Sequence, residues 1–203
     1  MNGSKVDLIL ASASPRRRDL LAGLRARFRV VPSDVSEEYL AGETPQAHVS
    51  RLALAKAMDV SARMPDQWVL GADTIVLIDG RILGKPGDQD EARAMLAMLA
   101  GRTHEVFTGY AIVHGRFPEL QRVRCVISRV HIRELSAREI ADYVDTGEPM
   151  DKAGAYAIQG IGSGIVETVS GSYTTVVGLP LCEVARDLKE LGIFDFLRSN
   201  RTP

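Results

Sequence analysis

Short apolar runs alternate with segments of helical periodicity along most of this chain. Runs rich in Val, Ile and Leu indicate strands, whereas apolar residues spaced three and four positions apart indicate amphipathic helices. Consecutive strands with no helix between them, above all 104–114 with 122–134 and 165–169 with 172–177, are expected to form hairpins. The pattern predicts an α/β fold with a mixed, partly antiparallel sheet flanked by helices. The predicted strands are residues 6–12, 28–33, 68–78, 104–114, 122–134, 165–169 and 172–177.

Most of the predicted helices are preceded by a residue that can cap a helix. A side-chain oxygen at this position accepts a hydrogen bond from an N–H of the first turn, and proline is favoured just after it. The chain shows no repeat and no linker, so we expect one domain over residues 1–203, with 198–203 as a frayed tail. The start signals are Ser14-Pro15, Thr44-Pro45, Asp88 to Glu91 and Ser136 to Glu139, and Pro180 opens the last predicted helix.

Positive and negative charges nearly balance. The 203 residues include 25 Lys and Arg against 26 Asp and Glu, a formal net charge of −1 at pH 7. A general binder of nucleic acid or of anionic membranes needs a basic excess, so neither is expected as a partner. The polar start lacks the apolar core of a signal peptide, and no apolar stretch approaches the ~18 residues of a membrane helix, so we expect a cytoplasmic protein. The two cysteines lie far apart, which argues against a disulfide framework.

Three consecutive arginines follow the first helix start, in Ser12-Ala-Ser-Pro-Arg16-Arg17-Arg18. The N-terminus of a helix already carries partial positive charge and unpaired N–H groups, so these arginines oppose the helix dipole. A bound anion would accept hydrogen bonds from both the backbone and the guanidinium groups. We favour this role for Arg16, which lies beside the cap. For Arg17 and Arg18 a solvated arginine face is an equally good interpretation.

A carboxylate interrupts an apolar run in Gly71-Ala-Asp73-Thr74. Burying such a group is costly unless it is paired, binds a metal or faces a cleft. An aspartate next to a cation is suited to activate water or to hold Mg²⁺. The alternative is a bulge or turn residue at a sheet edge, and from this feature alone both interpretations stay open.

Two glycine-rich segments carry further polar side chains. Gly84-Lys85-Pro86 is a tight loop that presents one lysine, which suits a phosphate but is also common in surface turns. Residues 147–164 cluster glycines with Gln159, whose amide can hydrogen-bond a pyrimidine or a ribose. The alternative is a glycine-rich connection. The chain has neither the phosphate-loop nor the dinucleotide-binding sequence, which disfavours P-loop and Rossmann enzymes.

A weaker group combines Glu37 and Glu38 with Lys56. Paired carboxylates are suited to a hard divalent cation. The alternative is a solvated pair on a loop, with Lys56 as an exposed helix residue.

Six short motifs follow one another along the chain. They are Ser12-Ala-Ser-Pro-Arg-Arg, Gly71-Ala-Asp-Thr-Ile-Val, Gly84-Lys-Pro, Gly101-Arg-Thr-His, Glu148-Pro-Met-Asp-Lys-Ala-Gly-Ala-Tyr-Ala-Ile-Gln and Val177-Gly-Leu-Pro. Together they resemble the Maf family of nucleoside triphosphate pyrophosphatases, from about residue 6 to 195. The stretch Asp-Lys-Ala-Gly-Ala-Tyr-x-Ile-Gln resembles the subgroup that acts on dTTP and UTP.

The resemblance implies a reaction and an architecture. The reaction is hydrolysis of a nucleoside triphosphate, dTTP, UTP or a modified pyrimidine nucleotide, to the monophosphate and pyrophosphate, in a house-cleaning role. The architecture is an elongated mixed sheet in two lobes with a central cleft. A divalent cation, Mg²⁺ or Mn²⁺, and a homodimer are also implied.

The resemblance further implies roles for individual residues. Asp73 matches the proton acceptor of the family, and its carboxylate is an alternative ligand for the metal. The other matches are Arg16, Thr74 and Gln159 for substrate choice, Ser12, Lys56 and Lys85 for substrate or phosphate binding, and Glu37 for the metal.

The resemblance to the Maf family leaves two other functions open. The first is a pyrophosphatase for 7-methyl-GTP or other non-standard nucleotides, whose selectivity would not depend on Gln159 and Thr74. The second is a nucleotide-binding regulator of cell division and septum formation, which would bind nucleotide tightly with negligible turnover.

Overall fold

The computed structural model describes residues 8–197, so the predicted frayed tail at 198–203 lies outside the described residues. Within residues 8–197, no helix is long and apolar enough to cross a membrane. Short 3₁₀ helices cover Pro118–Leu120, Glu148–Asp151, Ala153–Ala155 and Gly160–Gly164. The strands and α-helices are β1 Leu8–Leu10, α1 Pro15–Gly23, β2 Phe28–Val30, α2 Pro45–Arg63, β3 Trp68–Ile78, β4 Arg81–Leu83, α3 Gln89–Leu99, β5 Thr103–His114, β6 Arg122–Ile132, α4 Ala137–Asp145, β7 Val166–Ser170, α5 Tyr173–Val177 and α6 Leu181–Glu190.

The strands form a mixed sheet, as the sequence pattern predicts. The order of neighbouring strands is β2-β1-β3-β5-β6-β7, and β4 pairs with β3 outside this order. β1 pairs in parallel with both β2 and β3, whereas β4 is antiparallel to β3 and β7 is antiparallel to β6. The α/β class with a partly antiparallel sheet is therefore confirmed.

The chain divides into two compact units. Of the described residues, the first unit contains 8–73, 108–125 and 178–197, and the second contains 74–107 and 126–177. Strand β3 passes from the first unit into the second between Asp73 and Thr74. Two lobes are thus present, while the central cleft and the single domain over the whole chain stay predictions.

The core of the first unit lies where α2 packs on β3 and β5. Small residues on both sides allow a close approach, because a Cβ atom at Gly71 would lie 2.3 Å from the Ala53 carbonyl oxygen. A Cβ atom at Gly109 on β5 would likewise lie 2.3 Å from the Val49 carbonyl oxygen. Helix α2 therefore rests with its backbone almost directly on the sheet.

The second unit has a core of its own, built by α3, α4 and the strand segments of that unit. Leu96 and Leu99 of α3 and Val144 of α4 are fully buried there, together with Ile132 of β6. Gly154, with a positive φ of 71°, lies against the side chain of Val76 on β3. The glycine-rich segment thereby belongs to the packed body of this unit.

The structure corrects the sequence prediction at residues 172–177, which form the helix α5 and not a strand. Their Val and Thr content favours a strand, but the Ser172 hydroxyl accepts a hydrogen bond from the Thr175 amide at 3.3 Å and so caps a helical turn. The hairpin with 165–169 is wrong for the same reason. β7 pairs with β6 instead.

Strand β4 was not predicted. It pairs with β3 after a turn in which Asp79 and Gly80 both have positive φ, 48° and 75°. Asp-Gly between apolar residues is a strong signal for a two-residue hairpin turn, so the information was present in the sequence.

Candidate active site

An ammonium group lies between two carboxylates in the first unit. The Lys56 Nζ atom donates to Asp73 Oδ1 at 2.7 Å and to Glu37 Oε1 at 2.5 Å. Lys56 and Asp73 are each only 6% exposed, whereas the side chain of Glu37 is 52% exposed. The carboxylate within the apolar run is therefore a paired, buried group and not an edge or turn residue.

The close packing of α2 on β3 brings this pair together. Alternate residues of a strand share a face, so Gly71 and Asp73 point toward the same side of β3. Gly71 meets the α2 backbone at Ala53 and Ala57, and Lys56 lies between those two positions on the helix. The missing side chain at Gly71 thus sets the distance at which Lys56 meets Asp73.

Arg17 lies in the field of the same carboxylates. Its Nε donates to the Gly178 carbonyl oxygen at 2.8 Å and its Nη1 to the Ser12 hydroxyl at 3.2 Å. Burial of the guanidinium lowers the pKa of Arg17 from its ordinary value, while the negative charges of Asp73 and Glu37 act in the opposite direction. Arg17 is therefore an ordered cation beside the acid, and the interpretation as a solvated arginine does not hold for it.

The other two arginines of the run differ from Arg17. Arg18 is exposed and pairs with the neighbouring Asp19 at 2.9 Å, as a solvated surface residue does. Arg16 is half-buried on the first turn of α1, and its charge contributes to the lowered pKa of Arg17. The assignment of Arg16 to substrate choice stays a prediction.

A clamp that the sequence did not reveal fixes the loop that carries Glu37. Arg51 of α2 donates to both carboxylate oxygens of Glu43, at 2.6 and 2.9 Å, and to the Glu38 carbonyl oxygen at 3.0 Å. His48 adds a contact of 3.1 Å to Glu43 Oε2. Hydrogen bonds from Arg51, above all, lower the pKa of Glu43 to about 2. No short-range motif connects these residues, since they meet only when the loop folds along the helix.

The same loop is held further along α2. Arg63 Nη2 donates to the Pro32 carbonyl oxygen at 3.1 Å, and the Asp34 amide donates to Asp59 Oδ2 at 3.4 Å. Together with the Glu37 contact to Lys56, these bonds run along one side of the helix. The orientation of Glu37 is thus built into the first unit.

The remaining predicted residues belong to the second unit. Thr74 directly follows Asp73 on β3 and is half-buried. Lys85 is exposed in the loop after β4, and this loop is joined to the glycine-rich segment by a hydrogen bond from the Gly154 amide to the Gly84 carbonyl oxygen at 3.0 Å. Gln159 is exposed and extended, directly before the 3₁₀ helix Gly160–Gly164.

The residues present fit a divalent cation that is shared with a phosphate ligand. Among residues 8–197, no group of three or more His, Cys, Asp and Glu side chains is arranged to hold a metal by itself. Mg²⁺ is commonly held by one or two carboxylates together with substrate phosphates and water. Glu37 and Asp73 both contact the Lys56 nitrogen, so this part of the first unit carries two carboxylates of the kind that Mg²⁺ prefers.

Comparison with known proteins places the chain in a family. Residues 7–191 match the family described as Maf-like protein, so the chain belongs to the Maf-like family. It is 50% identical over 196 residues to the dTTP/UTP pyrophosphatase of Syntrophotalea carbinolica, covering 96% of this chain and 89% of that protein. It is 51% identical over 193 residues to the dTTP/UTP pyrophosphatase of Myxococcus xanthus, covering 95% of this chain and 96% of that protein.

A solved structure is also similar over almost the whole chain. The nucleoside-triphosphatase / dITP/XTP pyrophosphatase of Mycobacterium abscessus covers 95% of this chain and 100% of its own, at 17% identity and a TM-score of 0.42. A likeness of this size does not bear on function.

Proposed function

We propose that this protein hydrolyses dTTP and UTP to the nucleoside monophosphate and pyrophosphate. The observation that carries the proposal is the buried Asp73–Lys56 pair, with Glu37 and Arg17 beside it. Such a set of carboxylates among cations suits the attack of water on a polyanion. The family and the names of relatives at about 50% identity support the same reaction and substrates.

The cations hold the triphosphate in this account. Phosphoryl transfer depends mainly on positioning and on neutralising charge, so several fixed donors matter more than one reactive group. Arg17 is already oriented by Gly178 and Ser12, and Arg16 and Lys85 are the further cations that the resemblance assigns to phosphate or substrate. Ser12 supports Arg17 through its hydroxyl.

Asp73 accepts the proton of the attacking water. The water oxygen forms a bond to the α-phosphorus, the bond from this phosphorus to the bridging oxygen breaks, and pyrophosphate leaves. Lys56 fixes the Asp73 carboxylate through its Oδ1 atom, which leaves the orientation of the acid independent of the substrate.

Glu37 would hold the divalent cation, and the Asp73 carboxylate is the alternative ligand. A bound Mg²⁺ or Mn²⁺ would neutralise phosphate charge and help to orient the triphosphate. Glu37 is the more exposed of the two carboxylates, which suits a ligand that meets an incoming metal–nucleotide complex.

Thr74 and Gln159 contact the nucleoside. A glutamine side chain offers one acceptor and two donor hydrogens, which matches the alternating groups on a pyrimidine edge. A homodimer and a cytoplasmic location remain predictions from the sequence.

Product analysis on a panel of triphosphates tests the proposal. With Mg²⁺, wild type is expected to release monophosphate and pyrophosphate from dTTP and UTP, and Asp73→Asn to lose at least about a hundredfold in turnover because the proton acceptor is gone. Asp142→Asn removes an exposed carboxylate of α4 and is the matched control, with activity unchanged.

Several outcomes would contradict the proposal. Unchanged turnover in Asp73→Asn removes the assigned acid. A preference for 7-methyl-GTP over dTTP and UTP moves the chain to the other substrate class, and tight binding without turnover favours a regulator.

A further inference from the structure

Two side chains hold the backbone on both sides of Gln159 through hydrogen bonds. We call residues 157–162 the Gln159 segment. On one side the Ala157 amide donates to the Tyr143 hydroxyl at 3.1 Å. On the other side the Ile161 and Gly162 amides donate to the Glu148 carboxylate at 2.9 and 2.8 Å. Gln159 lies between these hydrogen-bonded amides, and its side chain is exposed.

The Tyr143 and Glu148 side chains also form a hydrogen bond with each other. The Tyr143 hydroxyl donates to Glu148 Oε1 at 2.8 Å, so the same hydroxyl joins Ala157 to the carboxylate. Tyr143 is 5% exposed on α4, and the 3₁₀ helix of Glu148 follows α4 directly. The segment is thereby attached to a buried, helical part of the second unit.

Glu148 acts here as a charged acceptor. Burial raises the pKa of its carboxyl, but hydrogen bonds from Gly162, Ile161 and Tyr143 outweigh this effect and leave the pKa below the ordinary value. A Cβ atom at Gly160 would lie 2.4 Å from Glu148 Oε2, so the backbone next to Gln159 rests against the carboxylate. The three hydrogen bonds to the Glu148 carboxylate restrict the conformational freedom of the Gln159 segment.

We propose that Glu148 and Tyr143 are positioning residues that set nucleobase selectivity through Gln159. The inference rests on the proposed function, in which Gln159 contacts the base. An amide in a free loop would lose conformational entropy on binding, and it could also rotate to accept the wrong base. Holding the backbone on both sides of Gln159 removes most of this freedom, because directional recognition depends on a fixed first contact and on the groups behind it.

The test is the ratio of kcat/KM for dTTP to kcat/KM for dCTP. Both substrates are measured on one enzyme preparation, so the ratio does not depend on how much of the protein is folded. Glu148→Gln places an NH₂ group against N–H and O–H donors, and we expect the ratio to fall about tenfold. Tyr143→Phe removes the acceptor of Ala157 and is expected to lower the ratio in the same direction.

Two comparisons distinguish positioning from other roles. Glu167→Gln makes the same chemical change at an exposed position of β7 and is expected to leave the ratio unchanged. In a Gln159→Ala background, Glu148→Gln is expected to have no further effect on the ratio, because the residue it positions is absent.

The proposal is overturned if Glu148→Gln and Tyr143→Phe keep the wild-type ratio. It is also overturned if Glu148→Gln lowers the ratio by the same factor with and without Gln159. Absence of dTTP hydrolysis in wild type is a different result, which contradicts the proposed function and not the positioning of Gln159 alone.

Discussion

Lys56 is a buried lysine whose ammonium group is paired with two carboxylates. Its nitrogen contacts Asp73 and Glu37, and the residue is 6% exposed. An ammonium in this position is stable only while its carboxylates are present, since an unpaired charge in the interior is costly. The pair therefore links the stability of the first unit to the group proposed to accept the proton.

Lys56→Met is expected to lower the free energy of unfolding by about 3 kcal/mol, because it leaves the Asp73 carboxylate buried without its partner. Urea unfolding at neutral pH measures this loss. Combining it with Asp73→Asn removes the stranded charge, so the double variant is expected to lose clearly less than the two single losses added together. Losses that add to within about 0.5 kcal/mol would contradict a direct coupling.

Among the elements, the distance between α2 and β3 sets how close Lys56 lies to Asp73. Helix α2 carries Lys56 and Arg51, and it reaches β3 only because Gly71 has no side chain. The loop with Glu37 is bound to the same helix through Arg51. A displacement of α2 would thus move an acid–base pair and a loop together.

Gly71→Ala is expected to reduce both stability and turnover. The new Cβ would lie 2.3 Å from the Ala53 carbonyl oxygen and 2.8 Å from the Ala57 amide nitrogen, so the helix must move away. We expect a loss of about 2 kcal/mol in the free energy of unfolding, the size typical of overpacking. Turnover by the folded fraction should fall at least about tenfold, because Lys56 moves away from Asp73.

Gly23→Ala is the matched control for this change. No atom lies within 4 Å of a Cβ at that position, at the end of α1. Denaturation and steady-state rates of the two variants are compared side by side. Equal behaviour of Gly71→Ala and Gly23→Ala would show that the close approach of α2 does not control the site.

Across the whole chain, sequence signals within a few residues predicted where elements begin, whereas contacts between distant residues could not be predicted. Helix starts at Ser14, Thr44 and Ser136 were predicted correctly, because a cap and its partner lie within three residues. Residues 172–177 were assigned wrongly, because one hydroxyl cap outweighed the strand preference of the Val and Thr residues. The mixed sheet followed from strands that succeed one another without a helix.

The candidate site shows the same difference between residues that a local pattern reveals and contacts that it does not. The sequence singled out Asp73 because a carboxylate interrupts an apolar run there, and it gave Glu37 and Lys56 only as a weaker group apart from Asp73. It could not pair them, since Lys56 and Asp73 are 17 residues apart and meet only through the packing of α2 on β3. The contact of Arg51 with Glu43 was also missed, because it forms only when the loop before α2 folds back along the helix.

The proposed reaction is the attack of water on the α-phosphorus of a pyrimidine nucleoside triphosphate. Hydrolysis of dTTP in ¹⁸O-labelled water, followed by mass spectrometry of both products, shows which phosphorus the water attacks. We expect one labelled oxygen in dTMP and none in pyrophosphate. Label in pyrophosphate, or release of the terminal phosphate with dTDP as the other product, would contradict it.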